Sequence, residues 1–448
     1  MCQQHQAQAQ DGAAAASPQP DGRPHYRDPF PWHLGAFDAH CHPTDTMASI
    51  ASLATLNARV LAIMATRSQD QHLVAKVAAE HGISDSDSPL NYQGGSSSAD
   101  PASAAPASKT ACRVVPAFGW HPWFSYQLYD DTASDPTYKP PNSENSDTPT
   151  AEDAKIAHYK VVLSPTPKDP SFLSSLPPPT PLSSFIASTR EYLTAFPHAL
   201  VGEIGLDKGF RLPQQWLPDD ASSRDEGLTP GGREGRLLSR YRVQMQHQQA
   251  VLQAQLRLAG ETGRAVSVHG VQAHGVLYDT MAACWKGHER KILSRREKKR
   301  IAPGAEESSS SDDDDDSGTN ELEKGAAKSK KRKTALGKPF PPRICLHSYS
   351  GSADTLKQWF HPAVPSKIFA SFSTAVNLGT DGGRAKLEGV VRAVPDDRIL
   401  IESDLHMAGD EAEAVLEDMY RLVCEIKGWD LEQGVGTIGK NFQEFVYG

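Results

Sequence analysis

The stretch FDAHCHPTD, residues 37–45, carries two histidines one residue apart, at the point where a short apolar run gives way to polar residues. Residues i and i+2 of a strand point to the same side, so His40 and His42 can face one ion together. Cys41 lies between them and points the other way, and we expect it to pack rather than to bind. Because the chain has 17 histidines, the pair indicates a metal site only if other strands supply further ligands.

Composition excludes several classes of protein. The 448 residues carry a formal net charge of −9, so the chain has no overall basic character, and a polyanionic substrate requires local cations or metals. The six cysteines form no CxxC pair and are typical of reduced thiols in a cytosolic or nuclear protein. No run of 18 apolar residues occurs, so we expect no membrane partner.

The chain is predicted to form one domain, over residues 33–448, behind a disordered leader at 1–32 that lacks the pattern of a secretory signal. Three internal segments are rich in Pro, Ser, Thr or charge and have no helical or strand period. We expect flexible insertions there, at about 84–110, 130–180 and 286–340.

Outside these segments, short apolar runs alternate with amphipathic stretches of helical length. The runs lie at 34–39, 59–64, 113–118, 200–204, 265–268, 343–346, 367–371 and 398–401, and examples of the helical stretches are 69–81, 183–196, 239–262, 383–394 and 410–427. Eight such units predict an α/β fold, a (β/α)8 TIM barrel. The alternative is an open doubly wound sheet, but no Gly-rich dinucleotide fingerprint follows the first run.

Ligand-type side chains follow several of these predicted strands. In a TIM barrel the carboxyl ends of the strands carry the chemistry, so these side chains are expected to meet. Four imidazoles and two carboxylates are more than one tetrahedral ion needs, and they fit two divalent ions, Mg²⁺, Mn²⁺ or Zn²⁺, about 3.5–4 Å apart. The imidazoles at these strand ends are His40, His42, His269 and His347, and the carboxylates are drawn from Glu203, Asp207, Glu402 and Asp404.

The ordered motifs DAHCH, GWHPW, GEIGLD, VSVHG, LHSYSGS and ESD resemble the TatD family of metal-dependent deoxyribonucleases, over residues 37–445. The resemblance implies a first ion held by His40, His42, Glu203 and Asp404, and a second held by Glu203, His269 and His347. Two positions depart from the family pattern. Val271 stands where the family usually has Arg, and no Pro follows Asp404.

The insertions and the segment HGVQAHG after the fifth strand resemble the fungal branch of the family. That likeness implies a second role, as binding partner of a tetratricopeptide subunit of the anaphase-promoting complex. The basic runs 295–300 and 328–333 flank an acidic run, and they are typical either of nuclear import or of a self-neutralising linker. We expect the protein in the nucleus and cytoplasm.

The expected reaction is hydrolysis of a phosphodiester bond in DNA by a metal-activated water, with Glu203 and Asp404 as the catalytic carboxylates. His121 is predicted to contact the substrate, and Ser350 and Gly351 to begin a helix whose free N–H groups favour a phosphate. Asp38 and Asp207 are expected to orient ligand imidazoles.

Two other functions compete with this hypothesis. One is an amidohydrolase or lactonase, although many such enzymes bridge their metals with a carbamylated lysine where this chain has Glu203. The other is a barrel that acts mainly as a binding partner, for which the loss of metal ligands would be the sign.

Overall fold

A computed structural model of the protein describes residues 28–83, 112–140, 150–216, 222, 224, 232–292, 337–380 and 382–448. Eight strands in this part of the chain form one parallel sheet. They are β1 (Phe37–Cys41), β2 (Val60–Met64), β3 (Arg113–Phe118), β4 (Leu200–Asp207), β5 (Val266–Val271), β6 (Arg343–Leu346), β7 (Lys367–Phe372) and β8 (Ile399–Ile401). They match the eight predicted strands to within a few residues at each end.

The order of the strands in the sheet is the order in the chain, and every neighbouring pair is parallel. Backbone hydrogen bonds join the two outermost strands: the N–H of Asp404 donates to the carbonyl of His40 at 3.0 Å, and the N–H of His42 to that of Leu405 at 2.8 Å. The sheet is therefore a nearly closed barrel. The predicted (β/α)8 barrel is confirmed, and the open doubly wound alternative is wrong, because that fold permutes the strand order.

Side chains of the strands alternate between two apolar layers. Leu61 and Ile63 of β2 point outward into the core between barrel and helices, whereas Ala62 and Met64 point into the barrel. Since both faces are buried, the strands are nearly continuous apolar runs. Cys41 belongs to the outer layer, as expected.

The helices pack around this sheet. They are α1 (Ser68–His81), α2 (Ala151–Val162), α3 (Pro170–Ser175), α4 (Leu182–Ala195), α5 (Met245–Glu261), α6 (His274–Trp285), α7 (Ala353–Trp359), α8 (Thr374–Asn377), α9 (Gly383–Ala393), α10 (Asp410–Lys427) and α11 (Leu431–Tyr447). No helix among the described residues is both long and apolar enough to cross a membrane.

The last helix, α11, covers the amino-terminal end of the barrel. Phe442 stacks on Phe37, the first residue of β1, with ring centroids 4.7 Å apart. Arg343, the first residue of β6, donates from Nε to the carbonyl of Phe445 at 2.8 Å. This end of the barrel is thus filled with apolar side chains, and the opposite end is left for polar ones.

A second apolar cluster lies beside the barrel and corrects one prediction. Residues 130–180 were predicted to be a flexible insertion, but the described part contains α2 and α3, which bury Tyr159 beside Tyr126 and Phe172 beside Tyr241. Helix α2 starts with a capping box between Thr150 and Asp153. The segment is rich in Pro and Ser, but its apolar residues are spaced so that one face of each helix is buried.

Other predicted segments lie mostly outside the described residues. These are the insertions at 84–110 and 286–340, the two basic runs, and residues 1–27 of the leader. The end of the predicted leader is ordered, however, because Phe30 is buried with its ring centroid 5.6 Å from that of Tyr420 on α10.

We predict that Phe442→Ala lowers the free energy of unfolding by about 3–5 kcal/mol, because it leaves a cavity beneath the barrel. Chemical denaturation followed by circular dichroism measures the loss. Lys440→Ala, an exposed position on the same helix, is the control. Equal stability of the two variants would show that α11 does not close the barrel as described.

Candidate metal centre

Side chains from five barrel strands and the loops that follow them meet at the carboxyl end of the barrel. β1 and its following loop provide two histidines, β4 a glutamate, β5 and the residue after β6 one histidine each, and the loop after β8 an aspartate. All six side chains are buried. They are the six predicted ligands: His40, His42, Glu203, His269, His347 and Asp404.

The carboxylate of Glu203 lies at the centre of this group. One of its oxygens, Oε1, is 2.8 Å from Nδ1 of His269 and 2.9 Å from Nε2 of His347. The other, Oε2, is 3.2 Å from Nε2 of His42 and 3.4 Å from Nε2 of His40. Each oxygen therefore faces its own pair of imidazole nitrogens.

The imidazole nitrogens converge in the way that ligands of one cation do. Nε2 of His40 is 3.0 Å from Nε2 of His42, and Nδ1 of His269 is 3.2 Å from Nε2 of His347. Nitrogen lone pairs that face each other repel unless a cation or a proton lies between them. Two ligands about 2.1 Å from one ion stand about 3.0–3.4 Å apart, so this donor set fits divalent metals.

Asp404 stands slightly farther from the histidines of β1. Its Oδ1 lies 3.8 Å from Nε2 of His42 and 3.9 Å from Nε2 of His40. Its backbone adopts φ 56°, a left-handed conformation that is uncommon outside glycine. The hydrogen bond from its N–H to the carbonyl of His40 holds this conformation and fixes the carboxylate beside β1.

Further polar side chains hold the imidazoles from behind. Nε2 of His269 lies 3.1 Å from Oδ2 of Asp207. Nδ1 of His40 is 2.8 Å from the hydroxyl of Ser267. Such partners fix the tautomer and the ring plane, so that the opposite nitrogen points at the metal position.

Asp38 does not orient an imidazole, and that prediction is wrong. Its carboxylate accepts the backbone N–H of His40 at 3.1 Å and the N–H and hydroxyl of Ser403. Burial raises the pKa of Asp38 to about 7 against these hydrogen bonds. Asp38 therefore ties the backbone of β1 to the segment after β8.

His121 also lies against the central carboxylate. Its Nδ1 accepts the backbone N–H of Trp123 at 3.2 Å, so the neutral ring carries its proton on Nε2, which is 3.1 Å from Oε1 of Glu203. Burial lowers the pKa of His121 to about 4. The ring donates to Glu203 and also lines the cavity above the metal ligands, where it was predicted to meet the substrate.

The central carboxylate is held in its ionised form. Burial raises the pKa of Glu203, but the neighbouring imidazoles of His121, His347 and His40 outweigh it, and the pKa lies well below its ordinary value. An ionised carboxylate at the centre of the group is a form that can bind a cation.

The helix after β6 starts later than predicted. Its N-cap is Ser352, whose side chain accepts the N–H of Thr355, so Ser350 and Gly351 precede the helix rather than begin it. Ser350 lines the cavity above the metal ligands, and Gly351 lines a neighbouring one. A β-carbon on Gly351 would meet the hydroxyl of Tyr349, which accounts for the glycine.

Three side chains contribute to the site although the sequence assigned them no role. The buried carboxylate of Glu402 lies 3.3 Å from Nδ1 of His347, Ser267 holds His40, and His406, which is paired to Asp45 at 2.8 Å, lines the cavity. A signal for Ser267 and Glu402 existed, since each precedes by two residues a predicted ligand in VSVHG or ESD. Val271 also lines the cavity, where the family pattern has Arg.

Comparison with known proteins gives the same family. The 36% identity to the Cut9-interacting protein scn1 of Schizosaccharomyces pombe extends over 91% of this chain and 98% of that protein. An uncharacterized deoxyribonuclease of Saccharomyces cerevisiae is 26% identical over 73% of this chain and 80% of its own length. A TatD family hydrolase of Entamoeba histolytica, solved by crystallography, has a TM-score of 0.45 at 10% identity and covers 92% of this chain and 98% of that one.

The family model described as TatD related DNase matches residues 37–447, which span the whole barrel and all six ligand-type side chains. The chain therefore belongs to the TatD-related DNase family of metal-dependent hydrolases.

Proposed function

We propose that the protein is a deoxyribonuclease that cleaves phosphodiester bonds with two divalent ions, Mg²⁺, Mn²⁺ or Zn²⁺. The observation that carries this proposal is the carboxylate of Glu203, which offers one oxygen to each of two imidazole pairs. His40, His42 and Asp404 would complete the first site, and His269 and His347 the second. A carboxylate that bridges two ions is the arrangement of many two-metal hydrolases.

Bound ions of this kind lower the pKa of a water molecule and neutralise charge on the phosphoryl oxygens. The side chains of the chain supply the remaining functions. Asp404, ionised because neighbouring imidazoles lower its pKa against the effect of burial, would accept the proton of a water activated at this site. Asp207, Ser267 and Glu402 keep the ligand rings in place from behind.

The proposed substrate contacts lie around the cavity above the ligands. Ser350 lines it and can donate a hydrogen bond to a phosphate, His121 lines it with its N–H directed at Glu203, and Gly351 adjoins it. DNA is proposed as substrate because the matching family and one curated relative carry the name deoxyribonuclease.

We predict that Glu203→Gln removes bound metal and lowers the rate of DNA cleavage by at least about 10³-fold, since an amide can supply only one neutral oxygen ligand. Elemental analysis of the purified protein gives the metal content, and cleavage of an end-labelled oligonucleotide gives the rate. Glu191→Gln, an exposed carboxylate on α4, is the matched control and should behave as the wild type.

Retention of both ions and of the full rate by Glu203→Gln would rule out a bridging carboxylate. Asp404→Asn provides a comparison, because it removes the proton acceptor and one ligand of the first site, and should lower kcat by about 10²–10⁴-fold while the ion of the second site remains.

Amide or lactone hydrolysis is the competing function, and the apolar Val271 in the cavity wall is the observation that favours it. We predict that metal-loaded protein cleaves DNA ends and leaves cyclic amides and lactones intact, because Glu203 replaces the carbamylated lysine common in amidohydrolases. A panel of DNA, RNA, phosphomonoesters, lactones and cyclic amides measures this preference. Faster turnover of a lactone or cyclic amide than of DNA would favour the competing function.

A second role is proposed from the relative whose name states that it interacts with Cut9. We propose that this chain binds a tetratricopeptide subunit of the anaphase-promoting complex, and that it is present in nucleus and cytoplasm. Co-precipitation from cells of its own source is predicted to recover that subunit with the wild type and equally with Glu203→Gln, because binding does not need catalysis. Recovery of no such subunit with either form would exclude this role.

A further inference from the structure

We propose that a groove beside the metal centre binds a single strand of DNA and leads it to the cavity. This inference rests on the proposed action on DNA. The groove, called here the arginine groove, is formed by two adjoining cavities and is lined by Arg67, Phe172, Gln214, Trp216, Arg236 and Arg240. None of these residues was singled out from the sequence.

The arginine groove adjoins the metal centre through two short segments. Thr66 lines the cavity above the metal ligands, and the next residue, Arg67, lines the groove. Likewise Trp123 lines the first cavity, and Tyr126, one helical turn along, lines the groove. A chain that leaves the metal centre on this side enters the groove directly.

The charge of the groove suits a polyanion. Three arginines line it, of which Arg236 is paired with the buried Glu234, and Asp169 is its one acidic lining residue among those described. Arg240 forms no ion pair with any described residue and is exposed. In a chain with net charge −9, this local concentration of cations is the contrast that attracts a phosphate backbone.

Trp216 gives the groove a preference for unpaired bases. Its indole lines both cavities, and the guanidinium of Arg236 lies 5.0 Å from the centre of its ring. Aromatic side chains within a cationic groove are the usual platform for single strands, because every base has a face that can stack. Bases within a duplex are already stacked, so a duplex would gain little from Trp216.

The floor of the groove is organised in advance. Arg236 donates to the carbonyl of Gln214 at 3.3 Å and to that of Arg233 at 3.2 Å, and it pairs with the buried carboxylate of Glu234 at 3.3 Å. Arg236 therefore holds the loop, and replacing it would disturb the fold. Arg240 is exposed and Trp216 is half-buried. These two residues are therefore the positions to vary.

The test is the binding of a labelled phosphorothioate oligothymidylate of about 12 nucleotides, which resists hydrolysis, to the full metal-loaded chain by fluorescence anisotropy. Trp216→Ala is expected to weaken binding about tenfold or more. Arg240→Ala is expected to lower the slope of log K against log salt by about 0.7. Arg257→Ala, an exposed arginine on α5 outside the groove, should leave affinity and slope unchanged.

Three results would overturn the proposal: affinities of Trp216→Ala and Arg240→Ala within twofold of the wild type, equal affinity for a duplex, or equal competition by polyglutamate. The last would assign the groove to an acidic protein partner. Groove-dependent binding with no cleavage of ordinary DNA would contradict the proposed function alone. Cleavage of DNA without groove-dependent binding would contradict the groove alone.

Discussion

The structure depends on one buried carboxylate. Glu203 is surrounded by imidazoles from three other barrel strands and from the loop after β3, and its two oxygens face two separate nitrogen pairs. An ion in an apolar barrel is costly unless charges or hydrogen bonds compensate it. Five segments of the chain must therefore lie close together, and the nearly closed barrel places them at one end.

The barrel interior is apolar at the amino end of the strands and polar at the carboxyl end. The ligand-type side chains lie at the polar end. At the amino end, α11 and the first residues of the strands fill the interior with Phe37, Phe369, Phe442 and Phe445. Ala265, just before β5, and Ser267 and His269 within β5 occupy alternate positions and point to the same side. The interior therefore becomes more polar toward the carboxyl end of the strand. The apolar end stabilises the barrel, and the polar end uses that rigidity to hold converging nitrogens about 3 Å apart.

Much of this arrangement could be predicted from the sequence, because alternation and strand ends are local signals. All eight strands and the six ligand-type residues follow from runs such as 265–268 and from the polar residue after each run. Contacts between distant segments could not be predicted. Ser267 holds His40 from 227 positions away, and Asp38 binds Ser403 rather than a ring. Residues 130–180 were misinterpreted because composition outweighed the spacing of anchors such as Tyr159 and Phe172.

The departure from the family pattern at Val271 and the proposed arginine groove matter for DNA cleavage only if Glu203 joins two ions. The most direct measurement is an anomalous-scattering crystal structure of the protein loaded with Mn²⁺ or Zn²⁺. We expect two peaks about 3.5–4 Å apart, one beside each oxygen of Glu203. A single peak, or two peaks that Glu203 does not touch, would contradict it.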